Sequence, residues 1–328
     1  MNTQSLALLK LMADGGFHSG EHLGESLGIS RAAVWKILES MSDLGLKIER
    51  TRGKGYCVSG GVDFLDESLI CGFLPPAIAD AFSQISVLPE VASTNQFLLD
   101  QINSVGGCAN ASVCLAEMQT AGRGRRGRVW QSPFAQNIYL SLSWCFETGI
   151  AAMEGLSLAV GVAVVKAIRG LGIEGASLKW PNDILVGEAK LGGVLIEIAG
   201  DVSGQCQAII GIGLNVQMSE SVMGAVEQPW ADLNGLSARV PKRNEIAASL
   251  LAQLFPLVST YESKGFSFYR EEWESLCHHV GCDVVLSSPS QKTEGTMLGV
   301  DASGALRISV AGEEQTHVGG EVSLRVSK

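Results

Sequence analysis

The chain has 328 residues, 46% of them hydrophobic and 18% charged, with a net charge of -10. That is the composition of a folded protein long enough for two or three cores, and its acidity argues against indiscriminate binding to nucleic acid. The longest apolar run, near residues 156–168, is broken by Lys166 and is too short for a membrane span. The first residues lack the basic–apolar–small pattern of a signal peptide, so a cytosolic protein that meets no membrane is expected. The eight cysteines form no C-x-x-C pair, which speaks for reduced thiols and against a zinc site. His278 and His279 are adjacent, a spacing that would aim them apart on a helix.

The charge is unevenly shared. Residues 1–60 carry seven Lys/Arg and six Asp/Glu, a net of +1, leaving 17 positive against 28 negative in the remainder. Leu6, Leu8, Leu9 and Met12 suggest a first helix that stops at Gly15-Gly16. Ser19 is placed to cap a second helix ending at Gly28, and Ser30 a third. In that third helix Val34, Ile37, Leu38 and Met41 share one face, while Arg31, Ala32, Trp35 and Lys36 lie on the other. Residues 47–50 and 56–58, joined through Arg52-Gly53-Lys54-Gly55, read as a two-stranded wing with a basic tip. The pattern fits a winged helix-turn-helix. Arg31, Ala32 and Lys36 are then the expected DNA contacts of the helix, and Arg52 and Lys54 those of the wing. A small protein-interaction domain is the alternative.

A hinge at Ser59-Gly60-Gly61 leads to a helix over residues 65–73. A strand then ends at Ser93-Thr94-Asn95, where Ser93 or Thr94 would cap the amphipathic stretch 96–102. A further strand, 113–119, runs into Gly122-Arg123-Gly124-Arg125-Arg126-Gly127-Arg128. Glycine lets backbone approach a ligand closely, and arginine offers a charged fork for carboxylate or phosphate. The segment matches G-x-G-x-x-G, but the alternating run 138–144 follows it where a dinucleotide site needs a helix. A loop closing over an anion is expected; a solvated basic loop is the plainer reading. Residues 156–169 read as a core helix. Lys179-Trp180-Pro181-Asn182-Asp183 puts polar groups and a proline into an otherwise apolar strand, which packing explains poorly. Lys190 precedes Leu191-Gly192-Gly193, and Gly211-Ile212-Gly213-Leu214-Asn215 lies in a buried strand; both allow close ligand approach. Helices are expected over 240–257 and 266–279, then short strands at 284–286, 293–300, 306–310 and 322–326.

The arginine loop, the Lys179–Asp183 cluster and Lys190-Leu191-Gly192-Gly193-Val194-Leu195-Ile196-Glu197, in this order, resemble biotin protein ligases, most closely the bifunctional bacterial kind that also represses the biotin operon. The likeness runs nearly end to end. It implies an α+β fold: a winged helix-turn-helix over 1–62, a central mixed α/β catalytic domain of the biotin/lipoate ligase type over 63–276, and an SH3-like β-barrel over 277–328. By resemblance Ser93, Thr94, Asn95 and Gln119 meet biotin, with Gly193 and Gly211 beside it, and Arg123, Gly124 and Arg125 close over the adenylate. Arg126, Arg128, Lys179, Asn182, Asn215 and Arg325 then serve the nucleotide, and Trp230, in a second loop Val226-Glu227-Gln228-Pro229-Trp230, covers the adenine. The family often carries a basic residue early in the first barrel strand; Asp283-Val284-Val285 does not.

Joining a carboxylate to an α-phosphate sets anion against anion, so positioning and fixed positive charge matter more than a nucleophile. Lys190 is the candidate to neutralise both, against the plainer reading of a solvated lysine, and Arg125 assists. Asp183, with Asn182, would orient the nucleotide or the incoming amine, or hold Mg²⁺ through water; the residues leave the three open. The direct metal ligands are unknown. The resemblance implies biotin and MgATP as substrates, a biotin carboxyl carrier domain as acceptor, and an adenylate-bound homodimer on operator DNA. A sensor without catalysis, a lipoate ligase, and a vestigial helix-turn-helix are the competing readings.

Overall fold

A computed structural model describes residues 1–41, 44–105, 110–200, 204–218, 228–237, 239–287, 291–319 and 323–326. Cys108, Val226, Glu227 and the segment 320–322 of the expected sites and strands lie outside these residues.

The N-terminal part is built by local capping. Helix α1 (Thr3–Leu11) starts where Asn2 accepts from the Ser5 amide at 2.8 Å. Helix α2 (Gly20–Leu27) is capped by Ser19 at 3.0 Å and stops at Gly28, whose φ of 65° is left-handed. Ser30 caps α3 (Arg31–Ser40) at 3.2 Å. Strands β1 (Ile48–Thr51) and β2 (Gly55–Val58) form the expected wing. Gly55 is needed there, because a Cβ would lie 2.0 Å from the His18 carbonyl oxygen. Leu8, Leu9, Met12, Leu23, Val34 and Leu38 make a core of their own, completed by Phe134 from the central part. Arg31, Ala32, Trp35 and Lys36 stand exposed on the face that helical periodicity gave them, and Arg52 and Lys54 stand exposed at the wing tip.

Helix α4 (Glu67–Phe73) and the short α5 (Pro76–Ala79) lead into the central sheet. Its strands are β3 (Gln84–Leu88), β4 (Ser112–Ala116), β5 (Ile138–Phe146), β6 (Ala176–Lys179), β7 (Asp183–Val186), β8 (Ala189–Gly200) and β9 (Cys206–Leu214). They lie in the order β3-β4-β5-β9-β8-β7-β6, with only β3 and β4 parallel. Alternation divides the two faces. Cys114 and Ile209 pack under Leu98 and Ile102 of α6 (Thr94–Val105). Val113, Leu115, Ile210 and Ile212 face α7 (Leu156–Gly170) and α8 (Arg243–Lys264). Residues 150–170 are long and apolar enough to cross a membrane by length and composition, but 61% of the window is buried within the protein. The stretch serves as core packing.

Two expectations need correction. Residues 179–183 do not interrupt one strand: β6 ends at Lys179, the cis Trp180–Pro181 peptide turns the chain, and β7 begins at Asp183 paired with Lys179. Nor do 266–279 form one helix. A short turn at Phe266–Phe268 precedes α9 (Arg270–Leu276), and Cys277 leaves the helix to bridge Leu178 at the sheet edge. His278 and His279 are therefore not helical. The His278 amide instead donates to the Leu178 carbonyl at 3.1 Å.

The C-terminal strands β10 (Asp283–Ser287), β11 (Lys292–Val300), β12 (Leu306–Val310), β13 (Glu313–His317) and β14 (Ser323–Val326) form an antiparallel sheet in the order β13-β12-β11-β10-β14. Val284, Met297, Leu306 and Leu324 share one core with the central sheet. Across this boundary the buried Trp180 indole donates to the Gly304 carbonyl at 3.1 Å.

A buried ion pair joins the linker to the body. Arg243, at the start of α8, meets Glu117 at 2.6 Å, and the side chains are each 3% exposed. The guanidinium also donates to the Asp63 and Asn137 carbonyls at 2.8 and 2.7 Å, and Glu117 accepts from the Leu65 amide at 2.7 Å. Every charged group is thus satisfied, which a buried pair requires.

Candidate active site

A cavity of about 600 Å³ opens where the ends of β4, β8 and β9 meet the β6–β7 turn, the arginine loop and β14. One end is lined by the uncharged polar side chains of Thr94, Asn95 and Gln119, beside the Arg123–Glu197 pair. The Gln119 side-chain oxygen accepts from the Thr94 amide at 2.9 Å, and its nitrogen donates to Ser132 at 3.1 Å. The buried Ser141 hydroxyl lies 2.7 Å from that of Thr94 and 2.6 Å from Asn95 Oδ1. The Thr94 hydroxyl therefore turns to Ser141 and Gln119 as the helix begins. Gly211 is where Asn95 packs closest: a Cβ there would sit 2.4 Å from Asn95 Oδ1.

The other end gathers cations. Lys190 Nζ donates to Asp183 Oδ1 at 2.6 Å across two adjacent strands, and Gly193 leaves the pair open to the cavity. The Lys190 backbone is fixed by the second loop: its amide donates to the Pro229 carbonyl, and its carbonyl accepts from Ala231, both at 2.9 Å. Arg125 donates to the Asn182 side chain at 3.3 Å. Burial lowers the basicity of the Arg125 guanidinium, and Asp183 works against that shift. Lys179 lies below the ordinary lysine range because burial disfavours its charge; Asp183 opposes this, while Lys190 and Arg325 add to it. Arg325, opposite Val285 on β14, reaches the same cavity.

Ser93, Arg123, Gly124, Arg126 and Arg128 also line this space, so three sequence motifs far apart in the chain converge on it. Asn215 and Trp230 do not line it. They line a neighbouring cavity of about 60 Å³ that shares Lys190 and Trp130. Asn215 is occupied by backbone, donating to the Ala231 carbonyl at 3.0 Å.

Residues 87–215 match the biotin/lipoate A/B protein ligase family, and residues 3–57 an HTH domain. The bifunctional ligase/repressor BirA of Escherichia coli (strain K12) is 39% identical over 324 residues, covering 99% of this chain and 98% of that protein. This chain belongs to the bifunctional biotin ligase/repressor family. A biotin–[acetyl-CoA-carboxylase] ligase of Mycobacterium tuberculosis is 32% identical over 244 residues, spanning 73% of this chain and 88% of its own length. The structure of an Aquifex aeolicus biotin protein ligase in complex with biotin and ATP matches with a TM-score of 0.64 and 28% identity. It covers 75% of this chain and 100% of that one.

In this ligase/repressor, sequence reasoning missed three groups at the site. Trp130 packs on Gly213, where a Cβ would lie 2.5 Å from the indole, and its ring lies under Lys190 Nζ, 5.5 Å from the ring centre. Its buried N–H has no acceptor among the described residues. Ser141 and Glu197 were given no role either, although Glu197 closes the Lys190–Glu197 motif and each is a polar residue in an apolar strand.

Proposed function

We propose that the chain activates biotin with ATP to biotinyl-5′-adenylate and passes the biotinyl group to one lysine of a carrier domain. The adenylate-bound dimer represses biotin-synthesis genes by holding an operator. The observation that carries this is the single cavity, polar and neutral at Thr94, Asn95 and Gln119, cationic at Arg125, Lys179, Lys190 and Arg325. A neutral bicyclic urea suits the first end, and a carboxylate meeting a triphosphate suits the second.

In the first step a carboxylate oxygen attacks the α-phosphorus and pyrophosphate leaves. Lys190 neutralises the anions as they approach, Asp183 holds Lys190 in place, and Arg125 with Arg123, Arg126 and Arg128 closes the mouth against water. Lys179, Asn182 and Arg325 bind the phosphates, with Trp230 and Asn215 on the base side. In the second step the carrier amine attacks the acyl carbon and AMP departs. Among the described residues no three His, Cys, Asp or Glu side chains are placed to hold a metal ion. Asp183, the one carboxylate among the described lining residues, would hold Mg²⁺ together with the ATP phosphates, and the ion would supply further positive charge there.

The labour divides at 1–62 for DNA, 63–276 for catalysis and 277–328 for the C-terminal sheet, read as SH3-like. Arg31, Ala32 and Lys36 read the groove, and Arg52 and Lys54 hold the backbone. Free thiols at Cys57, Cys71 and Cys114 suit a cytoplasmic protein. Exchange of labelled pyrophosphate into ATP tests the first step: it must depend on biotin. A pure ligand sensor would show none.

A further inference from the structure

Glu197 stands in the apolar run Val194–Ile198 of β8, yet its carboxylate is committed twice. Oε2 accepts from Asn95 Nδ2 at 2.8 Å and from Arg123 Nη2 at 3.1 Å. Asn95 is also held at Ser141 and at the Leu195 carbonyl, so its side chain is fixed on three sides. From Ser141 the polar contacts continue through Thr94 and Gln119 to Ser132, whose hydroxyl donates to the Trp130 carbonyl at 3.1 Å. The loop 123–130 is thereby tied at both ends to one chain of hydrogen bonds, and that chain is the polar wall of the cavity. At one end the tie is a charge-assisted pair, at the other a hydroxyl and a backbone carbonyl.

We infer that Glu197 is a positioning residue: it couples the ligand-reading Asn95 to Arg123 and so holds the arginine loop over the biotin end of the cavity. The inference rests on the activity proposed above. Glu197 touches no reacting atom; it acts by where it holds Asn95 and Arg123. Its loss weakens the hold on biotin and leaves the phosphate end, built from Lys179, Lys190 and Arg325, as it is. A group that merely supported the fold would affect both ends together.

The test is pyrophosphate exchange by the full chain with Glu197→Gln, Arg123→Ala and the double substitution. Glutamine keeps an acceptor for Asn95 and removes the charge facing Arg123. For Glu197→Gln the expected result is a KM for biotin raised about five- to tenfold, with KM for ATP and kcat within about twofold; Arg123→Ala should raise KM for biotin at least as much and, because Arg123 also lines the cavity, lower kcat as well. The double variant should be no worse than Arg123→Ala, because both changes cut one link. Additive losses, or equal changes for biotin and ATP, overturn the inference while leaving the ligase activity standing. If Glu197→Gln does not fold, Arg123→Ala decides alone, and an unchanged KM for biotin overturns the proposal. An unsubstituted chain without biotin-dependent exchange overturns the activity and this inference together.

Discussion

Lys190 and Asp183 meet at 2.6 Å from neighbouring strands, their side chains 18% and 24% exposed, at the cationic end of the cavity. The ammonium is oriented by the aspartate and faces the cavity, where the proposed reaction would bring two anions together. Replacing Lys190 by Ala should lower biotinyl-adenylate formation by about 10²–10³-fold, the scale of losing one preorganised charge-stabilising group. Single-turnover adenylation measures it, and an unchanged rate would remove Lys190 from the chemistry.

Gly211 and Gly213 permit contacts that no other residue allows. A Cβ at Gly211 would collide with Asn95 and one at Gly213 with Trp130. Gly211→Ala should therefore raise KM for biotin, and Gly213→Ala should weaken ATP more than biotin. Separate KM values for the two substrates check the assignment of each end; the reverse pattern would exchange the ends.

Burial sets Lys179 below the usual lysine value of 10.5. The group is charged below its own lowered pKa and loses its charge as pH rises through it, before a solvated lysine would. Adenylation should thus fall on an alkaline limb beginning below pH 10.5, and Lys179→Arg should move that limb upward. A pH profile unaffected by the arginine would assign the limb elsewhere.

The Glu117–Arg243 pair predicts an asymmetry in stability. Arg243→Ala leaves Glu117 buried and unpaired and should cost about 3–5 kcal/mol, whereas Arg243→Met with Glu117→Leu should cost far less. Urea denaturation with both variants reads the difference. Equal losses would mean that the hydrogen bonds to Asp63 and Asn137 matter more than the charges.

Much of this was legible where structure is local. Ser19, Gly28 and Ser30 announce the helix-turn-helix because caps act within a few residues, and the third helix shows its buried face through spacing alone. The cavity residues were legible because glycine, arginine and lysine in compact clusters have few packing uses. What remained hidden depends on distant partners. Glu117 and Arg243 are 126 residues apart and each reads alone as a surface charge. The turn at Trp180-Pro181 was mistaken for a strand interruption, because a proline marks a break without saying that the chain reverses. Residues 277–279 look helical by composition, but the edge of β6 offered Cys277 and His278 backbone partners that a helix could not.

The proposed DNA contacts are exposed side chains at the start of α3 and in the wing. Lys54→Ala should weaken operator binding uniformly across sequences and reduce the salt slope by about 1, while Arg31→Ala should also relax base preference. Titrations at several salt concentrations separate the two. Loss of binding in neither variant would place the interface elsewhere.

The most direct measurement is the intact mass of a biotin carboxyl carrier domain after incubation with this protein, MgATP and equimolar biotin and lipoate. One biotinyl increment on one lysine and no lipoyl increment are expected. An unmodified carrier, with both proteins folded, would contradict the ligase activity, and a lipoyl increment would contradict its acyl specificity.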